Sequence, residues 1–552
     1  MNRWSEKKQK NRIKTQFGKN PMDMETWESL QLRMHEIEMY EQRRRKDSNQ
    51  EWVDDVTWND LEMDRVFARI NHTRTYMGEQ ILYHRLHDCK NRQKLKRMEK
   101  RIAFFSCQES SRIKVEEKLS HIGKQKENYY LPLFLMDEIN WPVTSCIVLY
   151  LQQVLLAICL AGTVLARSNV WAIGLLVVAT VNLLIYLHAK NKYEGNLFAV
   201  ANMKVALDFC NWMIKSFEGN QLYADEEILQ ALEKTRKLAK QMGRWQARKY
   251  QSVTGDLAGI VQDYLAGVTL YDIVAFCHIE KGLRKCRKET LQLYEFVGDV
   301  DTDIAIASFR KSLKNWCSPM IQESGFIRME KICHPLMDDG VANSIELRKG
   351  AIFTGANASG KSTFMKAVAI NVILAQTIHT CVAKNVKMPT IKVMTSMALR
   401  DDVVQKESYY MREMKYLKRM LDEIEKGEPV LFVIDEILKG TNTRERLGAS
   451  KAILSYMAQK PGFLLVATHD LELVKAEENL YETYYFDSQI CGKDIIFPYK
   501  MKQGIAIRTN AIDLMEIMDF PKEITEKARK CIYENWRSSG TDRIKYQQYP
   551  VL

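Results

Sequence analysis

The sequence predicts a mixed architecture, in which an all-α region carrying a hairpin of two membrane-spanning helices precedes an α/β domain. Two adjacent uncharged stretches, Val143 to Ala166 and Ser168 to Leu187, each reach the roughly 20 residues that a helix needs to cross a bilayer. From Glu330 onward, apolar runs bounded by Gly or Pro alternate with helical stretches, which is typical of a mostly parallel sheet. Within that part, Gly355 to Ser362 fits the pattern G-x-x-x-x-G-K-S.

This pattern is the signature of a phosphate loop (P-loop), which normally connects a strand to a helix. Ala351 to Phe353 reads as a buried strand, and Phe364 to Thr380 as a helix, so the loop joins the two. Backbone N–H groups of such a loop, and the helix N-terminus behind it, attract phosphate oxygens. We therefore expect ATP to be bound by Gly355, Ala356, Asn357, Ala358, Ser359, Gly360, Lys361, Ser362 and Thr363. The alternative is a chance match in a glycine-rich turn.

Two of these side chains have distinct expected roles. The Lys361 ammonium reaches the β- and γ-phosphates, and the Ser362 hydroxyl binds Mg²⁺.

Further acidic and imidazole side chains follow two apolar runs. Pro429 to Glu436 reads as a strand that ends in two carboxylates, of which Asp435 can hold Mg²⁺ and Glu436 can polarise the attacking water. The run from Gly462 to Thr468 ends in His469, which can sense the γ-phosphate; the alternative is an ordinary surface histidine. Because open α/β sheets bind ligands at the carboxyl ends of their strands, these ends are expected to meet at one nucleotide. The pattern predicts an ATP hydrolase that uses Mg²⁺.

Composition limits the class of protein. The 552 residues are enough for roughly three or four domains, with 46% hydrophobic and 27% charged residues as in folded proteins. The formal net charge of +12 favours acidic partners such as nucleic acid or anionic lipid. The cysteines form no zinc pattern and read as reduced thiols of a cytosolic compartment. The polar, basic start does not resemble a signal peptide.

The two uncharged stretches and the residues that flank them predict how the chain is oriented in a membrane. The polar turn between the spans is only Arg167-Ser168-Asn169, so both ends of the hairpin face the same side. Lysines flank the hairpin on that side and place it in the cytoplasm: Lys124, Lys126, Lys190 and Lys192. We expect a two-span protein of the cell membrane, with lipid around residues 143–187 and with the α/β domain and both termini in the cytoplasm. The alternative is a buried hairpin in a soluble core, which Gln152, Gln153 and Asn182 support.

The expected organisation has six segments. They are a basic lead-in at 1–50, a first helical core part at 51–138, the membrane hairpin at 139–190, a helical core or lever at 191–328, the ATPase domain at 329–537 and a flexible tail at 538–552. The lead-in is compatible with a nucleic-acid arm, a lipid-facing tail or a solvated helix.

Several of these segments resemble the MutS DNA mismatch-repair family, whose ATPase domain is a branch of the ABC-type ATPases. The matching pieces are His334-Pro335, the loop itself, Ser408 to Met414, Asp435 to Thr443, Ala467 to His469, Gly504 to Pro521 and Pro521 to Trp536. Thr73 to Gly78 is similar to the start of the family's helical core, and the helices after Lys192 resemble its lever. The resemblance therefore covers most of the chain from about residue 52.

The resemblance implies a homodimer. In the family two ATPase domains pair, so Ser408 would reach the γ-phosphate of the partner's ATP, and Asn442 and Thr443 would lie along the same interface. The helix that Ser408 opens has an apolar stripe that should anchor it on its own domain: Met411, Met414, Leu417, Leu421 and Ile424. The alternative is that Ser408 only caps its own helix.

The sequence also departs from the family pattern. No mismatch-reading domain with its Phe-x-Glu wedge is recognisable ahead of the core, and the hairpin sits roughly where the family inserts its DNA clamp. Leu438-Lys439 replaces the usual Gly-Arg, and Asn510 stands where an aromatic residue is common. A membrane-spanning branch that lacks mismatch recognition is the closest match.

Two functions of different class remain open. The first is a membrane-anchored ATPase dimer that binds DNA in an ATP-dependent way, with low specificity and without reading mismatches. The second is a nucleotide-switched membrane scaffold or signalling ATPase that does not bind DNA. An ABC transporter fits poorly, because four spans per dimer give a thin pathway and the sequence contains no L-S-G-G-Q signature.

Overall fold

The computed structural model describes most of the chain. The described residues are 3–47, 53–89, 92–136, 146–166, 168–217, 223, 225–252, 257–356, 358–397, 409–491, 494–505 and 511–538. They divide into two compact units. The helical unit comprises Met1–Trp52, Asp64–Lys314 and Gln376–His379, and the α/β unit comprises Val53–Met63, Asn315–Ala375 and Thr380–Leu552.

Helices make up the first unit, as the helix-period sequence predicts. In chain order the helices up to residue 312 are α1 (Arg3–Gln16), α2 (Trp27–Gln31), α3 (Met34–Asp47), α4 (Asp55–Asp60, which belongs to the α/β unit), α5 (Met63–Ile70), α6 (Tyr76–His87), α7 (Arg92–Cys107), α8 (Glu109–Ile122), α9 (Leu131–Met136), α10 (Cys146–Ala166), α11 (Asn169–Ser216), α12 (Glu226–Ser252), α13 (Leu257–Val268), α14 (Tyr271–Lys285) and α15 (Arg287–Ser312).

The centre of this unit is the close pair α6 and α15. Two glycines permit the approach: a Cβ on Gly78 would lie 2.3 Å from Asp301 Oδ2, and one on Gly298 would lie 2.3 Å from Ile81 Cγ1. Asp301 accepts hydrogen bonds from the backbone N–H of Thr75 at 2.8 Å and from its hydroxyl at 2.7 Å. Thr75 in turn caps α6 by accepting from Gly78 N at 2.8 Å. The Thr73-to-Gly78 motif therefore starts a central helix and binds it to α15.

The pair α10 and α11 forms a long apolar hairpin. By length and composition, Ile147–Ala166 and Asn169–Ala189 could each cross a membrane, with mean hydropathies of 2.1 and 2.3 and only 11% of each most apolar window buried within the protein. At the turn, a Cβ on Gly162 would lie 2.4 Å from Trp171, so this glycine lets the indole pack against α10. Residues 143–145 and Arg167, which belong to the predicted spans and turn, lie outside the described residues.

The α/β unit contains the strands of the described residues. They are β1 (Met320–Gln322), β2 (Ile327–Ile332), β3 (Asn343–Leu347), β4 (Gly350–Gly355), β5 (Asn385–Pro389), β6 (Lys392–Ser396), β7 (Val430–Asp435), β8 (Gly462–Ala467), β9 (Glu482–Phe486), β10 (Gln489–Cys491), β11 (Asp494–Ile496) and β12 (Met501–Gln503). Its other helices are α16 (Lys361–Thr377), α17 (Tyr409–Ile424), α18 (Thr443–Ala458), α19 (Leu471–Glu477), α20 (Ala511–Ile517) and α21 (Lys522–Ser538).

The main sheet of this unit has the strand order β6-β7-β8-β4-β9-β12. Strands β6, β7, β8, β4 and β9 are parallel, and β12 joins the edge antiparallel to β9. A second sheet has the order β1-β5-β2-β3, and β10 pairs with β11. The central strands are buried along nearly their whole length, which explains why they appear in the sequence as continuous apolar runs.

The segment Val53–Met63 belongs to the α/β unit and packs on this sheet. The Asp60 carboxylate accepts from Thr395 Oγ1 at 2.7 Å and from Met397 N at 2.9 Å, at the end of β6. Asp54 accepts from Arg419 of α17 at 2.7 Å and also caps α4 through Thr57 N. Helix α4 is thereby attached to both the edge strand and α17.

Candidate functional site

The carboxyl ends of the central strands meet at one edge of the main sheet. Phe353 of β4 and Asp435 of β7 both pair in register with Ala467 of β8, which lies between them. The phosphate loop follows β4, Glu436 follows β7, and His469 follows β8 two residues after Ala467. The three strand ends that the sequence singles out therefore converge.

The backbone of the phosphate loop turns sharply at its glycines. Gly355 has a φ of 135°, and a Cβ there would lie 2.5 Å from the carbonyl oxygen of Phe486. Gly360 has a φ of 106°, and its Cβ would lie 3.0 Å from the ring of Tyr499. Ala358 adopts a φ of 62° without being a glycine. Asn357, also predicted to bind phosphate, lies outside the described residues.

Lys361 lies at the start of α16 with its ammonium over this loop. It is 6% exposed, and Nζ donates to the carbonyl oxygens of Gly355 and Ala356 at 2.9 Å each. Burial lowers the pKa of Lys361, while the negative charges of Asp435 and Glu436 act in the opposite direction. These carboxylates thus lie close enough to influence the lysine electrostatically.

The loop has the features of a phosphate site. The hydroxyl of Ser359 is fully buried and has no hydrogen-bond partner in the structure, so a polar group is available inside the loop. Ser362 is half-buried and Thr363 exposed in the first turn of α16, where helix N–H groups are unpaired. The 17 residues of α16 give this end a full helix dipole.

A magnesium ion fits this donor set. Among the described residues no group of three or more His, Cys, Asp or Glu side chains could hold a metal ion by itself. Mg²⁺ in nucleotide sites is usually bound by only one or two protein oxygens, together with substrate phosphates and water. The Ser362 hydroxyl and the Asp435 carboxylate are oxygen donors at the ends of α16 and β7, which is the chemistry that Mg²⁺ requires.

Glu436 is held by contacts with two side chains, His469 and Lys439. Its Oε1 lies 3.2 Å from His469 Nε2, and its Oε2 lies 3.1 Å from Lys439 Nζ. Burial by itself raises the pKa of Glu436, but the hydrogen bonds from His469 and Lys439 lower it to about 2. Its backbone has a φ of 63°, and its N–H donates to Ala467 O at 3.0 Å. Glu436 is therefore an ionised carboxylate in a constrained position.

The turn that carries His469 is fixed from its far side. Arg446 of α18 binds the next residue, Asp470, through two hydrogen bonds of 3.0 and 2.9 Å. Thr468 Oγ1 accepts from Asp470 N at 3.1 Å. The imidazole is 39% exposed, so it is accessible to a ligand while one nitrogen contacts Glu436.

Glu413 of α17 also belongs to the site. It lies in the segment Ser408 to Met414 that resembles the family, but its position in the sequence indicates no role. It is 1% exposed, and its Oε1 accepts from Lys439 N at 3.1 Å. Burial raises the pKa of Glu413, whereas hydrogen bonds from the backbone of residues 438–440 lower it. A Cβ on Gly440 would lie 2.9 Å from Tyr410, so this glycine lets the first turn of α17 pack on the same loop.

Lys439 is a further site residue to which the sequence assigns no role. In the sequence it is only a departure from the usual Gly-Arg of the family. The preceding Leu438 has a φ of 58° and is 1% exposed. This left-handed conformation favours glycine, the residue common in the family, and costs a leucine about 1–2 kcal/mol. The turn therefore keeps the glycine conformation with a leucine, and it directs the Lys439 ammonium to Glu436.

The predicted stripe on α17 is partly wrong. Leu417 and Ile424 are buried, but Met411 is 52% and Met414 40% exposed. The buried face starts instead at Glu413, because its carboxylate binds the 438–440 backbone and turns that side of the helix inward. Ser408 lies outside the described residues, next to the first residue of α17.

Asn442 has a local structural role. Its side chain caps α18 by accepting from Glu445 N at 3.0 Å, and Thr443 begins the helix. Asn510 lies outside the described residues.

Comparison with known proteins agrees with this architecture. Residues 351–534 match the family model MutS domain V, which covers the phosphate loop and the strand ends. The DNA mismatch repair protein MutS of Aquifex pyrophilus is 28% identical over 278 residues, which is 47% of this chain and 32% of the relative. The protein of the same name from Thermotoga petrophila is 24% identical over 291 residues, 50% of this chain and 36% of the relative.

A third relative comes from a different bacterial group. The DNA mismatch repair protein MutS of Listeria monocytogenes serotype 4a is 27% identical over 258 residues, 44% of this chain and 30% of the relative. The chain thus spans about a third of the length of the curated relatives that it matches. Residues 351–534 therefore match MutS domain V, and about half of the chain is similar to MutS proteins.

Proposed function

We propose that the protein is a Mg²⁺-dependent ATP hydrolase. The observation that carries the proposal is the convergence of Lys361, Glu436 and His469 at one sheet edge, in a domain that matches MutS domain V. The similarity to MutS proteins also supports ATP hydrolysis.

Each side chain has a role in this proposal. The loop N–H groups and Lys361 bind the phosphates, and Ser362 and Asp435 hold Mg²⁺, which neutralises phosphate charge when bound. Glu436 accepts a proton from the attacking water, because it is ionised and fixed at the strand end. His469 contacts the γ-phosphate and orients Glu436.

The test compares variants of the purified protein. Glu436→Gln should bind ATP normally but hydrolyse it at least ~100-fold more slowly, since a general base is lost. Lys361→Ala should weaken ATP binding itself through the loss of a charge-assisted contact. Lys366→Ala is the matched control, because Lys366 lies on the same helix but pairs with Glu62 at 2.9 Å. Normal hydrolysis by Glu436→Gln would refute the assignment of the base.

The enzyme acts as a homodimer anchored in the cell membrane by α10 and α11. The hairpin's lengths, hydropathies and low burial support the anchor. Reporter fusions after Tyr129 and after Glu194 should both lie in the cytoplasm, and carbonate washing should leave the protein in the membrane fraction. Release into the soluble fraction would exclude the anchor.

The nucleotide cycle controls DNA binding of low sequence specificity. The family relationship and the net charge of +12 support a nucleic-acid partner. Binding should fall steeply with salt, because Lys and Arg contacts to phosphates release counterions. We expect perfect and mismatched duplexes to bind alike in titrations of the detergent-solubilised protein. A clear mismatch preference would contradict this, and no binding at low salt would favour the scaffold or signalling ATPase.

A further inference from the structure

The turn between α13 and α14 packs against the apolar hairpin. Helix α13 ends at Val268 and α14 begins at Tyr271, so the connection has two residues. A Cβ on Gly267 would lie 3.0 Å from the ring of Tyr186 on α11, which shows how closely α13 approaches. Beneath the turn is a buried apolar cluster of Leu149, Tyr186, Leu270, Val274 and Cys277.

Two polar side chains of the hairpin bind the backbone of this turn. Gln153 Nε2 of α10 donates to Thr269 O at 2.8 Å, and Asn182 Nδ2 of α11 donates to Val268 O at 2.9 Å. Gln153 follows the start of its span at Ile147 by six residues, and Asn182 precedes the end of its span at Ala189 by seven. At 1.5 Å per residue, both contacts lie about 9–10 Å inside the hairpin from its open end.

These contacts satisfy groups that hydrocarbon would leave unpaired. The last carbonyls of a helix have no partner within the helix, and no water is present in a bilayer core to bind them. Gln153 and Asn182 supply donors to two such carbonyls at equal depth on both legs of the hairpin. Two of the three polar residues that favour a soluble hairpin in the sequence, Gln153 and Asn182, are thus explained as partners of a turn at membrane depth.

The outer face of α13 is apolar and exposed. Val261, Tyr264 and Leu265 share one helical face and are 55%, 61% and 59% exposed. Leu265 lies one helical turn before the connection, because Thr269 N donates to Leu265 O at 2.9 Å. At 1.5 Å per residue, Leu265 lies about 6 Å and Val261 about 12 Å from Thr269 along α13. The end of this face at Leu265 is therefore the part nearest to the turn and to Val154, which adjoins Gln153 and is 55% exposed.

We propose that the α13–α14 turn enters the cytoplasmic half of the bilayer as a re-entrant helical hairpin. Its occupant is lipid: Tyr264 and Leu265 contact acyl chains, Val261 lies toward the headgroups, and Gln153 and Asn182 hold the turn. The proposal rests on the membrane insertion of α10 and α11 proposed above, and it adds a third membrane element that joins the anchor to α14 and α15.

The test places an environment-sensitive fluorescent amino acid at Leu265 of the full-length protein in phosphatidylcholine nanodiscs. We expect a blue-shifted emission that lipids with nitroxide-labelled acyl chains quench, as they should also quench the same label at Val154. Leu176, 69% exposed within the apolar span Asn169–Ala189 of α11, is the control for the hairpin itself. Leu229, 45% exposed on α12, should remain unquenched.

The outcomes separate this proposal from the anchor. Quenching at Leu176 without quenching at Leu265 overturns the re-entrant hairpin and leaves the anchor intact. If neither label is quenched, the anchor is wrong and the re-entrant hairpin falls with it. A blue-shifted but unquenched Leu265 label shows that protein, such as a second copy of the chain, covers this face in place of lipid.

A second experiment tests the contacts that hold the turn. Replacing Gln153→Leu and Asn182→Leu together makes the hairpin more apolar, so quenching at Leu176 should persist while quenching at Leu265 falls. Thr163→Val is the matched control, because the Thr163 hydroxyl binds Cys159 O of its own helix at 2.8 Å. Unchanged quenching at Leu265 in the double variant would show that these side chains do not position the turn.

Discussion

The ammonium of Lys439 lies 3.1 Å from Oε2 of Glu436, the carboxylate that we propose as the base of ATP hydrolysis. The other carboxylate oxygen contacts His469, and the hydrogen bonds from His469 and Lys439 lower the pKa of Glu436 to about 2. A carboxylate with so low a pKa is a weak base. Lys439 therefore controls both the orientation and the basicity of Glu436.

Substitution of Lys439 should change the pH dependence of hydrolysis. In Lys439→Met the loss of this hydrogen bond raises the pKa of Glu436, and the acidic fall in kcat/KM moves to higher pH because the base must be ionised. Lys439→Arg keeps the charge and should retain the original profile. The measurement is kcat/KM for ATP between pH 4 and 8. Identical profiles for both variants would show that Lys439 does not act on the base.

Glu413 should support hydrolysis without binding nucleotide. Glu413→Gln weakens the acceptor for the 438–440 backbone, which costs about 1–3 kcal/mol when a buried partner is lost. We expect a lower kcat with little change in ATP affinity, since the loop after Glu436 is less well fixed. Asp422→Asn is the control on the same helix, because Asp422 is 57% exposed. A large loss of ATP affinity in Glu413→Gln would contradict this role.

A buried carboxylate should control the stability of the helical unit. Glu79 is fully buried, with Arg33 and Lys124 each at 2.8 Å from Oε1. Glu79→Gln removes the counter-charge of Lys124 and one of the two carboxylates that bind Arg33, and it should destabilise the protein by about 3–5 kcal/mol. Glu109→Gln removes an exposed pair with Lys14 and should have little effect. Thermal unfolding followed by tryptophan fluorescence gives the comparison.

The same carboxylate predicts a pH window. Burial by itself raises the pKa of Glu79, but Lys124 and Arg33 lower it from 4.5 to about 2. Because the folded pKa lies below the unfolded value, its contribution is complete above pH 4.5 and is lost as the pH falls toward 2. The difference between wild type and Glu79→Gln should shrink over that interval. A difference that is constant from pH 6 to 3 would show that ionisation of Glu79 is unimportant.

The features that the sequence predicts well are local in the chain. The strand, loop and helix around Lys361 lie within about 30 residues, and the strand that leads to Asp435 is a continuous apolar run. Partners that are distant in sequence leave no such signal. Asp301 binds Thr75, the N-cap of α6, from 226 residues away, and Gln153 binds Thr269 O from 116 residues away. Such contacts depend on tertiary packing, which a pattern of apolar residues does not specify.

The wrong part of the α17 stripe has a similar origin. Spacing alone places Met414 with Leu417 and Ile424, but the buried position is taken by Glu413. A charged residue is buried there because its carboxylate accepts a hydrogen bond from the backbone N–H of Lys439 in another loop. Apolar periodicity identifies the helix correctly, and the polar partner determines how the helix is rotated.

The last prediction concerns an active site shared between two subunits. Helix α17 begins at Tyr409 beside Ser408, and Glu413 attaches it to the loop after Glu436. A helix N-terminus has unpaired N–H groups and partial positive charge, which suits a γ-phosphate supplied by a partner. If Ser408 contacts the partner's ATP, its loss affects the neighbouring site, whereas the loss of Lys361 affects the site on its own subunit.

Mixed dimers distinguish the two arrangements. Ser408→Ala and Lys361→Ala, each nearly inactive alone, are combined so that subunits exchange, and ATP hydrolysis is measured against the ratio of the two. In a shared site, one site of each mixed dimer carries both substitutions and the other carries neither, so activity should return to up to half of the wild-type value in each mixed dimer. If Ser408 only caps its own helix, every site keeps one defect and the mixture stays inactive at all ratios. Mixing Lys361→Ala with Glu436→Gln is the control. Each of these substitutions acts on the nucleotide bound by its own subunit, so every site of a mixed dimer keeps one defect and activity should not return.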